Sequence, residues 1–422
     1  MQSTNSLTFS VLVTVVPKVL NGALTLLLSL ILVVVFPIEQ YGYYAYAINV
    51  ILLADAIIGT PFDLAVIRVA QPIIKSDPST ALAIERQAFF LKLLLATLII
   101  LMAFALFLVL DIKLAQHQRP MALILVTGAA ILGLLTIRSL LLHMQMREAF
   151  AKYGKVELLH VALKMVPAFA LVGFGMATPL NILLCFFLAP IIATGAMLFQ
   201  IKFEASEKAR SLDHIPSLAR SLAWYLPTLA LGATLARMDI LLMGGFLPAK
   251  SLGAYGAAVT LASVPDMIGM YLGIVLTPRV VKYAHAGQLG PFFRRNQLLL
   301  MAVSAACYVG LLSLSGFQIQ DHLPDKFTEI FPIFLILVPG TLFAMTTSAM
   351  ALPFVLLSNR RFLLSLDVCI VPVVIVAYLW VIPNYGVSGT AYLALAVMMV
   401  RSIAVLAAAW LSCDKQHSFG SS

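Results

Sequence analysis

Apolar runs, each about the length of one bilayer crossing, follow one another along this chain with brief polar interruptions. The pattern predicts helical spans over residues 8–36, 41–67, 89–110, 121–146, 156–176, 179–201, 217–247, 252–276, 296–316, 328–357, 362–382 and 387–411. A spanning helix needs about 20 mostly apolar residues, because hydrocarbon offers no water to an unsatisfied backbone. Pro37, Pro120, Pro179, Pro248, Pro291 and Pro383 fall between spans or at their ends, as Pro-based breaks should. The expected fold class is an all-α polytopic membrane protein of about twelve transmembrane helices. Outer loops such as 37–40, 177–181 and 247–250 are too short to build a domain. The longer segments 68–88, 202–216 and 277–295 read as amphipathic links. In the first, Asp77 before Pro78 is the expected start of a helix.

Polar positions inside the spans change the picture. In the first span Thr14, Lys18, Asn21, Thr25 and Ser29 recur at helical spacing and form one polar stripe. A lipid-facing helix has no use for such a stripe, so it should line water or meet polar partners. Pro17 frees backbone groups at the same level. The seventh span carries Ser221, Tyr225, Thr228, Gly232 and Asp239 on one face, with Pro227 and Arg237 beside them. Arg237 and Asp239 lie about 200° apart around the helix and are not expected to pair. Charges at a helix centre cost about 2.5–3.5 kcal/mol each on insertion scales, so they should face a cavity or a partner. The in-span bases are Lys18, Arg138, Lys164, Arg237 and Arg401, and the acids are Asp55, Asp63, Asp239 and Asp266. Asp63 lies near Arg68 and reads as interfacial. Asp367, near Arg360 and Arg361, reads the same way.

The chain also reads as doubled. VFPIEQYGYYAYAINVILLADAIIG begins at Val35 and GFLPAKSLGAYGAAVTLASVPDMIG at Gly245. Shifting by 211 residues, half of the 422, superposes Gly42 on Gly253, Tyr44 on Tyr255 and Asp55 on Asp266. Both copies enter an even-numbered span, as parallel transporter repeats do. The expected domains are therefore two six-helix lobes, 1–210 and 211–422. Each Tyr lies within about 20° of its Asp around the helix, which places both on one face.

Composition agrees with the spans. Apolar residues make up 62% and charged residues 11%, against about 45–50% and 25% in soluble domains. The net charge of +9 is spread over the ends of the spans and is not a nucleic-acid signal. With a cytoplasmic N-terminus, 18 of the 27 Lys and Arg residues, Lys92 included, fall on the inner side and 4 on the outer. That bias predicts both termini in the cytoplasm. Cys185, Cys307, Cys369 and Cys413 lack metal-ligand spacing and read as small apolar residues. Neither a metal nor a cofactor is expected. The first ten residues have no basic region or cleavage site of a removable signal peptide.

Three stretches resemble a known family. They are QYGYYAYA at Gln40–Ala47 followed by Asp55, LLHMQMREAFAKYGKVELLHVALKMV from Leu141, and LLSNRRFLLSLDVCIVPVVIVAYLWVIPNYGVSGTAYLALAV from Leu356. Together with two six-helix halves and polar first and seventh helices, they are similar to the bacterial polysaccharide-pathway (Wzx-like) flippases. That group belongs to the superfamily of MATE exporters and lipid II flippases. The resemblance implies an inner-membrane translocator that carries a polyprenyl-pyrophosphate-linked oligosaccharide to the periplasmic leaflet by alternating access. Its partners would be the lipid-linked glycan, membrane lipid, and glycosyltransferases or a polymerase of the same pathway. Lipid II flippases usually carry two further helices, for which this length has no room.

Two readings of the intramembrane charges compete. Lys18, Arg138, Lys164 and Arg237 line a basic cavity for an anion such as pyrophosphate, with Asn21, Thr25, Asp55, Asp239 and Asp266 as further lumen or ion-coupling groups. Alternatively, the bases pair with Asp55, Asp239 and Asp266 and hold helices together. An ion-coupled MATE-like exporter with Asp55 and Asp266 as coupling sites is the alternative transporter, although five buried bases fit a cationic cargo poorly. A membrane enzyme is disfavoured, because His117 and His322 are the only histidines in outer loops and those loops are short.

Overall fold

The computed structural model describes residues 4–110, 120–198, 215–285, 289–315, 326–351 and 360–419. These residues are helical and contain no strand. The chain divides into two compact units, Met1–Arg237 and Met238–Ser422.

In the first unit, α1 (Thr4–Val35) leads into α2 (Ile38–Ala54), a π-helical turn (Asp55–Gly59) and α3 (Thr60–Ala70). α4 (Pro78–Leu110), α5 (Pro120–Met146), α6 (Phe150–Gly173), α7 (Pro179–Leu198) and α8 (Ile215–Leu235) follow. α5 and α6 pack on α7, α1 on α6, α4 on α5, and α8 on α3. Ile137, Leu141, Met144, Tyr153, Val156 and Ala193 form the core where α5, α6 and α7 meet. At Gly133 a Cβ would lie 3.0 Å from Pro190 Cγ and 3.3 Å from the Phe187 carbonyl, the close backbone approach that small residues allow between membrane helices. α4 begins as expected: Asp77 accepts from the Thr80 backbone N–H at 3.0 Å, with Pro78 in the first turn.

The second unit contains α9 (Met238–Phe246), α10 (Ala249–His285), α11 (Leu289–Ser315), α12 (Lys326–Thr346) with a π-helical turn (Thr347–Ala351), and α13 (Arg360–Phe419). α10 packs on α12, and α13 on α12 and α9. Phe293, Ala349, Leu363, Val405 and Ala409 form an apolar cluster. A Cβ at Gly269 on α10 would lie 2.9 Å from Met345 Cα on α12.

Among the described residues, nine helical stretches are long and apolar enough to cross a membrane. One of them, Phe362–Leu411, is 50 residues long. That is about 75 Å of helix against a hydrocarbon core of about 30 Å, so it crosses twice, reversing at Gly386. The bent pair α8–α9 is apolar enough to count as one broken span, which brings the number to as many as ten among the described residues. The link expected at 277–295 is mostly helix, since α10 runs to His285 and α11 begins at Leu289. The part of the 202–216 link before Ile215, and the end of the tenth span beyond Ala351, lie outside the described residues.

Tyr44 and Tyr255 are both wholly buried. The Tyr44 hydroxyl is 3.1 Å from Ser29 on α1, and the Tyr255 hydroxyl donates to Asp239 on α9 at 2.5 Å. Each tyrosine thus ties its span to the one before it. Asp367 departs from expectation. It pairs with Arg401 through two bonds of 3.0 and 3.3 Å, and its side chain is 3% exposed. Arg360 and Arg361 are near in sequence, but the forked guanidinium of Arg401 matches both carboxylate oxygens.

Gly386 has φ 59 and ψ −147, a conformation essentially restricted to glycine. Gly386→Ala should destabilise the turn between the last two spans by about 1–3 kcal/mol. Thermal unfolding in detergent micelles checks this, and Gly310→Ala, with open space at its Cβ, is the control.

Candidate functional site

Charged and polar side chains gather inside the first unit in two groups. The first group depends on the π turn. Asp55 and Asp63 are eight residues apart, which in a regular α-helix leaves them about 80° out of line. A π turn absorbs one extra residue, so the effective separation is seven residues and the two carboxylates align to about 20°. Both then reach Arg138 on α5. Arg138 Nη1 bonds Asp55 Oδ2 at 2.5 Å, Nε bonds Asp63 Oδ2, and Nη2 donates to Thr60 at 3.0 Å. Gly59 makes room for this contact. A Cβ there would strike Asp55 Oδ1 and lie 3.2 Å from Arg138 Cδ.

Lys92 on α4 completes the group. Its ammonium donates to Asp63 at 2.6 Å and to Ser139 at 3.0 Å, and its side chain is 3% exposed. One expectation is corrected here. Asp63 is buried and is not an interfacial partner of Arg68. Lys92, read from sequence only as an inner-side charge, is buried and ion-paired about 21 Å along α4 from its start at Pro78.

The second group lies between α1 and α6. The polar stripe of α1 meets a face of α6 formed by Tyr153, Glu157, His160 and Lys164. Their spacings of 4, 3 and 4 put them on one side of the helix. Asn21 sits at the centre. Its amide nitrogen donates to Glu157 at 3.0 Å, and its amide oxygen accepts from Lys164 at 2.5 Å. Lys164 also donates to Thr25 at 3.1 Å and stands 5.0 Å from the Phe186 ring centroid on α7. Lys18 lies over the Tyr153 ring at 5.4 Å. Glu157, His160 and Lys164 are buried, whereas Lys18 is exposed. His160 Nδ1 is buried with no hydrogen-bond partner. The side chain of Thr14 lies outside the described residues, and Ser29 belongs to the Tyr44 contact.

The two groups satisfy charge differently. In the first, each base bonds a carboxylate. In the second, the hydrogen bonds of Lys164 end on neutral oxygens, and Glu157 is met by a neutral amide. Among the described residues neither Lys18, Lys164 nor Glu157 forms an ion pair. Charges held by dipoles alone remain available to a charged ligand.

The other expected residues fall elsewhere. Arg237 lies just after α8, and its guanidinium donates to Asn49 on α2 at 2.5 Å. Asp239 bonds Tyr255, and Asp266 is exposed on α10. Sequence reading missed Glu157, His160 and Lys92. The 3 and 4 spacing of Glu157, His160 and Lys164 was available as a signal. Nothing in the local pattern pointed to the π turn. Among the described residues no group of three or more His, Cys, Asp or Glu side chains is arranged to hold a metal ion.

No protein-family profile and no curated protein matches the chain. Solved structures do. A lipid II flippase, MurJ, in an inward closed conformation aligns with a TM-score of 0.70 at 11% identity, over 93% of this chain and 86% of that one. A multidrug resistance MATE family transporter of the MOP superfamily, inward-facing, aligns at 0.64 and 14%, over 97% and 99%. An outward-facing MATE family transporter of the same superfamily aligns at 0.54 and 12%, over 98% and 96%. The chain shares the fold of these flippases and transporters. Identity this low establishes the fold alone.

Removing one partner of a buried ion pair costs about 3–5 kcal/mol, because the other charge is left uncompensated. Asp63→Ala, which strands Lys92, should therefore lower the thermal midpoint in detergent markedly. Asp55→Ala should lower it less, because Arg138 keeps Asp63. Equal melting of Asp63→Ala and the unaltered chain would contradict the clamp.

Proposed function

We propose that this protein flips a polyprenyl-pyrophosphate-linked oligosaccharide across the bacterial inner membrane for surface polysaccharide synthesis. In this reading two lobes, 1–210 and 211–422, alternate access, both termini face the cytoplasm, and glycosyltransferases or a polymerase work on the same glycan. The observation that carries the reading is the group between α1 and α6. Lys18 and Lys164 sit within the apolar spans with no carboxylate bonded to them among the described residues. Ammonium groups in hydrocarbon are costly unless they serve a partner, and a pyrophosphate passing between leaflets is such a partner. Among the described residues of the two groups, four bases (Lys18, Lys92, Arg138 and Lys164) stand with three acids (Asp55, Asp63 and Glu157), an excess of one base. The fold shared with a lipid II flippase supports the same class of cargo.

Arg138 plays a different part from the one its depth suggested. In this reading Arg138, held by two carboxylates, supports the site, while Lys18 and Lys164 meet the pyrophosphate. The same pairing weighs against the MATE-like alternative, because Asp55, the expected coupling carboxylate, is engaged by Arg138.

Lys18→Ala and Lys164→Ala should each reduce surface glycan in cells by tenfold or more, with membrane levels of the protein unchanged. Quantifying glycan against immunoblotted protein checks this. Full surface glycan in both variants would overturn the basic-site reading. Altered drug susceptibility with normal glycan on deletion would favour the exporter.

A further inference from the structure

We propose that Glu157 is a built-in stand-in for the substrate's pyrophosphate: it occupies the anion site of the empty protein and drives the bound anion out again. This rests on the flippase reading and concerns how the same site releases its cargo.

The inference comes from the Asn21 amide. Its two ends serve opposite charges, with the nitrogen donating to Glu157 and the oxygen accepting from Lys164. Thr25 assists on the basic side, accepting from Lys164 at 3.1 Å while it donates to the backbone carbonyl of Asn21 at 2.6 Å. Glu157 and Lys164 are two helical turns apart on one face of α6, about 10 Å along the axis. They are therefore kept apart and bridged by a neutral group. A purely structural acid in this setting would be expected to look like Asp63, which is clamped by Lys92 and Arg138. Glu157 is equally buried but has one amide where Asp63 has two cations.

A phosphate oxygen entering beside Lys164 needs the donors that now serve the carboxylate. Asn21 Nδ2 faces Glu157, and Lys18 feels the field of Glu157. His160, one turn from both Glu157 and Lys164, has a buried Nδ1 without a hydrogen-bond partner among the described residues. The amide cannot serve both anions fully, and two negative charges sharing a site of low dielectric repel. Glu157 thus holds the Asn21 amide in the empty state, competes for the same donor, and limits affinity. A translocator needs that limit, because an anion bound too tightly is not released.

The test uses the full chain in detergent, with inorganic pyrophosphate and undecaprenyl pyrophosphate as separate probes. Glu157→Gln keeps the shape and an acceptor for Asn21 but removes the charge. It should tighten binding of the lipid-linked probe by about tenfold or more and, in proteoliposomes, slow translocation. A structural role would weaken binding and turnover together. Glu157→Asp, which keeps the charge but withdraws it from Asn21, should tighten binding less, and it serves if the Gln variant does not fold. Stronger binding of the lipid-linked probe identifies a lipid headgroup as the ligand, and equal binding identifies free pyrophosphate. If the wild type binds and Lys164→Ala abolishes binding, but folded Glu157→Gln or Glu157→Asp binds no more tightly, the stand-in role fails while the flippase reading stands. If the wild type binds neither probe, both fail.

Discussion

The ion-paired clamp of Lys92, Asp63, Arg138 and Asp55 is the constraint on which the first unit is arranged. A charge cannot be left alone in hydrocarbon, so these four side chains oblige α4, α3, α5 and the end of α2 to meet at one place. The π turn at Asp55–Gly59 follows from that demand, because it brings both carboxylates onto the face that Arg138 approaches. Gly59 follows too, since a Cβ there would strike the Asp55 carboxylate and crowd the Arg138 side chain that meets it. A local departure from α geometry is thus tolerated because four charges are satisfied by it.

Beside this clamp, the α1–α6 interface gains its meaning by contrast. Its charges are satisfied by dipoles, by aromatic faces and by one shared amide. Dipoles hold a charge in place at lower strength than an opposite charge does, and a ligand carrying its own charge is able to displace them. One group of the unit is thus locked by opposite charges, and its neighbour is held by neutral partners. The second unit has its own fixed contacts, Arg401 with Asp367 and Tyr255 with Asp239.

Much of this was legible in the chain. The spans followed from apolar run length, because a bilayer imposes one dominant length on every helix. The stripe of Lys18, Asn21, Thr25 and Ser29 followed from helical periodicity, and the structure gives Asn21, Thr25 and Ser29 hydrogen-bond partners and Lys18 an aromatic one. The pairing of charges did not follow. Arg68 is five residues from Asp63, and Arg360 is seven from Asp367, but the actual partners lie 29, 75 and 34 residues away.

By itself, then, the sequence determined that this is a polytopic helical protein, roughly where its helices run, and which helix faces are polar. Each is a property of periodicity and length along a single helix, which the bilayer forces to satisfy its own backbone. Only the tertiary structure decided which buried charges are paired and which are held by neutral groups. That choice depends on side chains brought together from distant helices and on a one-residue π insertion with no composition signature. Arg138 and Lys164 look alike in sequence, each a lone base within an apolar run. They differ because two carboxylates come to Arg138, and an asparagine and a threonine come to Lys164.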